Sequence, residues 1–283
     1  MSTVIAPLSH AATTTAPSRL RRLWPADLPL ILAGLPLLLL FVLPLAALAL
    51  RVSPAQFLTG LANPAVMQAI WISLVTSTAA TTLAMLSGLP LAYLLARRQF
   101  RGRNVVDTLI DLPMVLPPSV AGIALLVAFG RRGLFGQYLD DAGVSIAFSQ
   151  TAVILAQMFV AAPFFVKAAI SALGGVDREL EQAAALDGAG DSQVFRHVTL
   201  PLSLPVLFAG AVMMWARALG EFGATIIFAG NFPGRTQTMP LAIYLGFELD
   251  MGVALTLALI LLVVSFGVLF AVKRALRGRV GVG

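Results

Sequence analysis

Two charged side chains stand where an apolar helix should run. Arg217 and Glu221 are four residues apart in Trp215-Ala216-Arg217-Ala218-Leu219-Gly220-Glu221-Phe222-Gly223-Ala224-Thr225, a spacing that puts both on one face of a helix. A single charge at the centre of a bilayer costs at least about 2.5–3.5 kcal/mol, so each needs a partner or water. Two readings stay open. The pair either neutralises itself and fixes packing, with Ala216, Gly220 and Ala224 as small residues on an adjoining face, or forms a charged constriction on a solute path.

A second irregularity is Leu112-Pro113-Met114-Val115-Leu116-Pro117-Pro118-Ser119. Each proline removes a backbone donor and crowds the preceding turn, so a helix here must kink or break. Broken helices at membrane depth are tolerated where the backbone is buried in protein or lines a cavity. A third is the crowding of acidic residues, since five of the 13 (Asp177, Glu179, Glu181, Asp187 and Asp191) fall within one short stretch.

Other chemistries lack their residues. Cysteine is absent, which excludes disulfides, thiolate metal sites and a cysteine nucleophile. His10 and His197 are far apart, and none of the apolar stretches contains histidine, so no clustered constellation for a membrane-embedded enzyme is present. The only lysines, Lys167 and Lys273, follow no phosphate-binding glycine loop. This chain is expected to bind no ATP and no metal, and to carry no catalytic residue.

The elements that must hold these residues follow from composition. Of 283 residues 59% are hydrophobic and 11% charged, against roughly 45–50% and 25% in a soluble domain. The apolar residues fall in six stretches, about 28–50, 65–96, 105–129, 147–173, 202–229 and 252–272, each near the roughly 20 residues that cross a bilayer as a helix. The fold class is therefore an all-α membrane protein with six transmembrane helices. Residues 1–26 read as a disordered cytoplasmic tail, 27–276 as the transmembrane domain and 277–283 as a C-terminal tail. A cleavable signal peptide, with Ala47-Leu48-Ala49 as its cleavage site, is the competing reading of the first stretch, whose apolar run exceeds the usual 7–15 residues.

Six spans place both termini on one side. Thirteen basic residues lie on that side: Arg19, Arg21, Arg22, Arg97, Arg98, Arg101, Arg103, Arg178, Arg196, Lys273, Arg274, Arg277 and Arg279. Four (Arg51, Arg131, Arg132, Arg235) lie opposite, so both termini are expected in the cytoplasm. The net charge of +6 thus orients helices, and no nucleic-acid partner is expected.

Local signals refine the picture. Asn63-Pro64 opens the second span as cap and first helical residue. The hydroxyls Ser73, Thr76, Ser77, Thr78, Thr81 and Thr82 suit close packing or a wet path. Asn104 with Asp107 resembles a capping arrangement. In the loop after span four, Asp177 can cap a helix that Gly188 ends, and a second short stretch, 192–198, is expected to stop at Leu200-Pro201. Pro233-Gly234, inside Asn231-Phe232-Pro233-Gly234-Arg235, predicts a turn on the outer side that can receive a partner.

The run Gln182-Ala183-Ala184, then Gly188, then Val198-Thr199-Leu200-Pro201 resembles the EAA signature of ABC importer permeases, E-A-A-x3-G-x9-I-x-L-P. Gln182 stands where Glu is typical, with Glu181 adjacent; Val198 replaces Ile, and Asp187 precedes the glycine. Leu112 to Pro118 and the stretch from Ala216 to Tyr244 look like the molybdate permease subfamily, and the resemblance spans roughly residues 60–275. Sulfate/thiosulfate permeases share a related version, and Arg235 stands where many molybdate permeases carry Glu.

The resemblance implies a type I ABC importer permease fold in a bacterial or archaeal plasma (inner) membrane. It implies a homodimer with two separate ABC ATPase subunits, which hold ATP and Mg2+, and an extracytoplasmic oxyanion-binding protein. Segment 177–199 would couple to the ATPase through Glu181, Gln182, Ala183, Ala184, Gly188, Val198, Leu200 and Pro201. Pro117, Pro118, Ser119, Arg217, Glu221 and Thr225 would line the translocation pathway, and Asn231 and Arg235 would meet the binding protein. The implied cargo is molybdate, with tungstate or sulfate/thiosulfate as alternatives. A proton-coupled secondary transporter is the rival: Asp111 with Glu221 supplies a thin version of its titratable groups, but no convincing internal repeat is present.

Overall fold

The computed structural model describes residues 28–279, all of whose regular elements are helices. The tail 1–26, with Arg19, Arg21 and Arg22, lies outside the described residues. Helix α1 (Leu28–Arg51) tolerates Pro36 and Pro44, buries none of its own residues and packs against the last helix. Next comes α2 (Pro54–Leu61), a short helix that the apolar pattern does not announce. A capping box makes it: the Gln56 N–H donates to Ser53 Oγ and the Ser53 N–H to Gln56 Oε1, each at 3.2 Å.

Helix α3 (Pro64–Arg97) begins as its cap predicts, with the Ala65 N–H donating to Asn63 Oδ1 at 2.9 Å. Its Ser73, Thr76, Ser77 and Thr81 are buried, and the last three bond carbonyls of their own helix. The third apolar stretch is two helices, α4 (Arg103–Val115) and α5 (Pro118–Phe129), bent by 118° at Leu116-Pro117. Proline supplies the break, since Pro117 and Pro118 cannot donate to the preceding turn. The capping role expected of Asn104 is corrected: Gly102, at φ 90°, occupies the cap position with no side-chain bond, and Asp107 is engaged elsewhere.

After α6 (Gly136–Asp141), helix α7 (Gln150–Gly174) starts at Ser149, whose Oγ accepts from the Ala152 N–H. Then come α8 (Arg178–Leu186), α9 (Asp191–Val194), a π-helical turn over Phe195–Thr199 and α10 (Leu200–Leu219). The expected stop at Leu200-Pro201 is a second correction, because the helix runs unbroken from Asp191 to Leu219. The π-turn carries it past the proline: the Leu200 N–H reaches five residues back to the Phe195 carbonyl, and the widened register relieves the clash that Pro201 would impose.

The fifth apolar stretch is also divided. It ends as α10 at Leu219 and resumes as α11 (Gly223–Phe228), rather than running on to 229. Helices α12 (Met239–Leu249) and α13 (Met251–Arg279) complete the chain. Helix α12 is apolar but too short for a span, and α13 continues beyond the boundary at 272. Among the described residues five helices are long and apolar enough to cross a membrane, six if the bent α4–α5 pair counts as one span.

The spans pack through small residues. Ala84 and Ala92 of α3, Ala161, Phe165 and Ala169 of α7, and Ala211 and Met214 of α10 form one buried cluster. A Cβ at Gly210 would lie 2.5 Å from Ala168 Cβ, so α7 and α10 touch at backbone distance. A second cluster joins α5, α7 and α11 through Ala121, Val153, Ala156 and Phe228.

Candidate functional site

The α8–α9 segment is built by its own caps. The Glu179 N–H donates to Asp177 Oδ1 at 2.9 Å, and Glu179 and Glu181 place negative charge at the positive end of α8. Gly188 ends the turn at φ +92°, a conformation that L side chains rarely adopt. One long-range contact anchors the segment to the spans. Arg97 Nη2, at the end of α3, lies 2.8 Å from Glu181 Oε1 and donates to the Val176 carbonyl at 3.3 Å. The same carboxylate oxygen accepts from Thr199 Oγ1 at 2.6 Å. Glu181 therefore ties α3, α8 and the π-turn together, and the acid that does so is the neighbour of Gln182, which is exposed.

Beneath this joint is a cavity of about 290 Å³ lined by Tyr93, Arg97, Arg98, Glu181, Phe195 and Thr199, among others. Tyr93 and Phe195 meet edge to face at 5.0 Å. Ala183, Leu186 and Gly188 face outward, Ala184 and Val198 are half-buried, and Leu200 and Pro201 belong to the continuous helix. An exposed apolar edge on a charged helix is what a partner surface needs.

The two helix breaks meet each other. A Cβ on Gly223, the first residue of α11, would fall 2.7 Å from Pro118 Cβ and 3.5 Å from the Ser119 amide nitrogen. One turn along α5, a Cβ at Gly122 would strike the Ala224 carbonyl at 2.9 Å. Only glycine permits this approach, so Pro117, Pro118 and Ser119 come to the same level as Glu221 and Thr225. Pro117, Pro118 and Ser119 are exposed on this chain.

Arg217 and Glu221 form the expected i, i+4 pair, Nη1 to Oε2 at 2.7 Å. Glu221 does more than neutralise: its Oε1 accepts from the Ala224 N–H at 2.9 Å and so satisfies an amide that the break leaves free. Its side chain is 1% exposed, whereas that of Arg217 is 32% exposed. The anion is locked inside and the cation is on offer. Thr225 is fully buried, and its hydroxyl has no hydrogen-bond partner.

Between α11 and α12, Gly234 has φ +72° and the Arg235 N–H donates to the Phe232 carbonyl at 3.1 Å, as a type II turn requires. Asn231 is half-buried and donates to the Leu241 carbonyl at 3.3 Å, tying the turn to α12, while Arg235 is exposed.

One charged cluster escaped the sequence reading. Lys167 Nζ lies 2.8 Å from Asp107 Oδ1 and 2.8 Å from Asp111 Oδ2. The signal for it was present, since Asp107 and Asp111 share a helical face and Lys167 is a lone cation in an apolar stretch. Joining them requires knowing that α4 packs on α7. Among the described residues no group of three or more His, Asp or Glu is arranged to hold a metal ion.

The model of the binding-protein-dependent transport system inner membrane component family matches residues 88–279. The chain belongs to that family. A molybdenum transport system permease protein, ModB, of Mycobacterium tuberculosis is 45% identical over 243 residues, covering 85% of this chain and 92% of that protein. A sulfate transport system permease protein, CysT, of Salmonella typhimurium is 35% identical over 247 residues, covering 86% and 89%. Among solved structures, a bacterial ABC transporter involved in import of the acidic polysaccharide alginate matches with a TM-score of 0.70 at 18% identity, over 91% of this chain and 97% of that one. The fold is therefore that of a type I ABC importer permease, and membership of the inner membrane component family makes the chain a multi-pass membrane protein.

Proposed function

We propose that this chain is the translocation subunit of an ATP-driven oxyanion importer whose cargo is molybdate. The observation that carries this reading is the 45% identity to a molybdenum permease over 92% of that protein's length. The more distant sulfate permease, at 35%, supports sulfate as the second cargo to test. In this reading two copies enclose the pathway, segment 177–199 of each seats in a separate ATPase, and an extracytoplasmic binding protein delivers the anion. The ATPase subunits hold ATP and Mg2+, and this chain contributes no catalytic residue. Both termini lie in the cytoplasm of a bacterial or archaeal cell, with the transmembrane domain over 27–276.

The geometry suits the task. Glu181, held by Arg97 and Thr199, makes α8 and the long helix move as one body, so closure of the ATPases tilts α10 and the break it carries. At the break, Arg217 faces outward from the chain while its charge is balanced by a buried carboxylate. A dianion then meets attraction without a deep well that would retain it. Pro117, Pro118, Ser119 and Thr225 complete that level of the path, and the turn carrying Asn231 and Arg235 is the surface offered to the binding protein.

The test is reconstitution with the cognate ATPase and binding protein in liposomes. ATP-dependent molybdate uptake that excess sulfate leaves largely intact is the expected result. Uptake driven by a pH gradient through this chain alone would overturn the reading in favour of a secondary transporter.

A further inference from the structure

The cavity beneath the α3–α8 joint has an apolar neighbour. Tyr93, Arg98, Asp191 and Phe195 line both it and a second cavity of about 400 Å³, which Leu89 and Pro90 of α3 also line. The two form one continuous hollow with unlike halves. The first half is polar, with Arg97, Arg98 and Arg178 on its wall beside Glu181 and Asp191. The second runs along the span, since Leu89 lies eight residues before Arg97 on α3, about 12 Å of helix.

Charge in the polar half does not cancel. Glu181 is spent on Arg97 at 2.8 Å, while Arg97 Nε is buried without an acceptor. Arg98 and Arg178 are exposed and have no ion-pair partner among the described residues, against one acid, Asp191. One positive charge therefore remains beside an apolar slot. Leu86 and Leu94, one turn either side of Pro90, are 70% and 43% exposed, so the slot continues into a bare apolar flank of a membrane span.

We propose that this hollow holds one anionic phospholipid of the leaflet that meets the end of α3, its phosphodiester between Arg98 and Arg178 and an acyl chain along Leu89, Pro90 and Phe195. Guanidinium groups present paired donors that match phosphate oxygens, and basic pockets beside transmembrane helices suit lipid headgroups. A monoanionic headgroup balances the remaining charge. A soluble partner's carboxylate would meet the arginines yet leave the apolar half unfilled. Bound there, the lipid bridges α3, α8 and α9 beside the Arg97–Glu181 pair, as a second fastening supplied by the membrane. The site asks only that the chain spans a membrane, and it stands whether or not molybdate is the cargo.

The test is native mass spectrometry of the purified full-length chain, with phosphatidylglycerol and phosphatidylcholine of matched acyl chains added in equal amounts. Phosphatidylglycerol should be retained at least fivefold over phosphatidylcholine. The double variant Arg98→Gln, Arg178→Gln should lose that preference. Ser192→Phe fills the apolar half from an exposed position with every charge in place, and should cut retention at least threefold. In nanodiscs, the amides of Asp191–Thr199 should exchange at least threefold slower with phosphatidylglycerol than with phosphatidylcholine, a readout that does not need the double variant to fold. Equal retention of the two lipids, an undiminished preference in the double variant, or like exchange rates in the two membranes overturns the proposal. Displacement of phosphatidylglycerol by millimolar inorganic phosphate would make the hollow a free-anion site instead. Loss of ATPase co-purification from the double variant, with lipid retention unchanged, would make it part of the ATPase seat.

Discussion

Among the described residues two Arg–Glu ion pairs have nearly equal length, 2.8 Å between Arg97 and Glu181 and 2.7 Å between Arg217 and Glu221, and they are built in opposite senses. The first joins residues 84 apart in sequence and the second joins the last turn of α10 to the break that follows it. In the first the cation is the more hidden member, at 9% exposure against 21%; in the second the anion is hidden, at 1% against 32%. Sequence distance explains what each can do. A long-range pair fixes one element against another, whereas a local pair adjusts the charge and the hydrogen bonding of a single helix end. The α3–α8 joint accordingly uses its pair as a fastening, and the break at Gly220 uses its pair to present a cation.

Substitutions can separate these roles. The largest effect is expected from Glu221→Ala, which strands Arg217 and also leaves the Ala224 amide without its acceptor. Arg217 is partly exposed, so most of the loss comes from the buried carboxylate's own contacts and the freed amide, and the thermal unfolding temperature of the purified subunit should drop. Glu221→Gln keeps an acceptor for Ala224 and should recover part of the stability without recovering transport. Arg217→Ala is the complementary change: it leaves a buried carboxylate with the Ala224 N–H as its remaining donor, so stability should also fall, and molybdate uptake should fall in the complex that assembles. Unchanged uptake and ATPase coupling in that variant would make the pair purely structural.

At the joint, Arg97→Ala should leave the spans folded but loosen α8 from α3. The expected readout is a several-fold fall in anion imported per ATP hydrolysed, with the ATPase still co-purifying. Gly188→Asp acts by another route. Nothing lies within 4 Å of a Cβ at that position, so the penalty is backbone strain at φ +92°, of about 1–2 kcal/mol. It should reduce co-purification of the ATPase while membrane insertion is normal, and Gly188→Asn, which tolerates the left-handed region better, should be milder. The smallest effect belongs to Asp177→Ala, where loss of one cap costs about 1 kcal/mol. Faster hydrogen exchange confined to the first turn of α8 would report it.

Much of this architecture was legible because its causes are local. Apolar length reveals the spans, Pro117-Pro118 reveals the bend, and Asp177 with Gly188 brackets α8. The intramembrane pair was legible for the same reason, being an i, i+4 contact. Two kinds of feature were not. Helices α2, α6 and α12 are too short to show an apolar length, and a capping box such as that of Ser53 and Gln56 is visible only when sought. The Lys167 cluster and the choice of Glu181 over Gln182 as the anchoring residue depend on which helices touch, information that spacing along the chain does not contain. The passage through Leu200-Pro201 failed for a subtler reason, since a proline stops an α-helical register but a π-turn absorbs it.

That absorption has a mechanical consequence. From Asp191 to Leu219 the backbone is one rod of 29 residues, about 44 Å long at the usual rise per residue. A rod has leverage: a tilt of about 5° imposed at its Asp191 end displaces the far end by roughly 4 Å, comparable to the width of a small anion. With no hinge at Pro201, a stroke delivered by the partner subunits proposed above would be carried along the shaft toward Arg217. The widened turn at Phe195–Thr199 departs from the α-helical register of that shaft, and its stiffness would set how much of the stroke reaches Arg217.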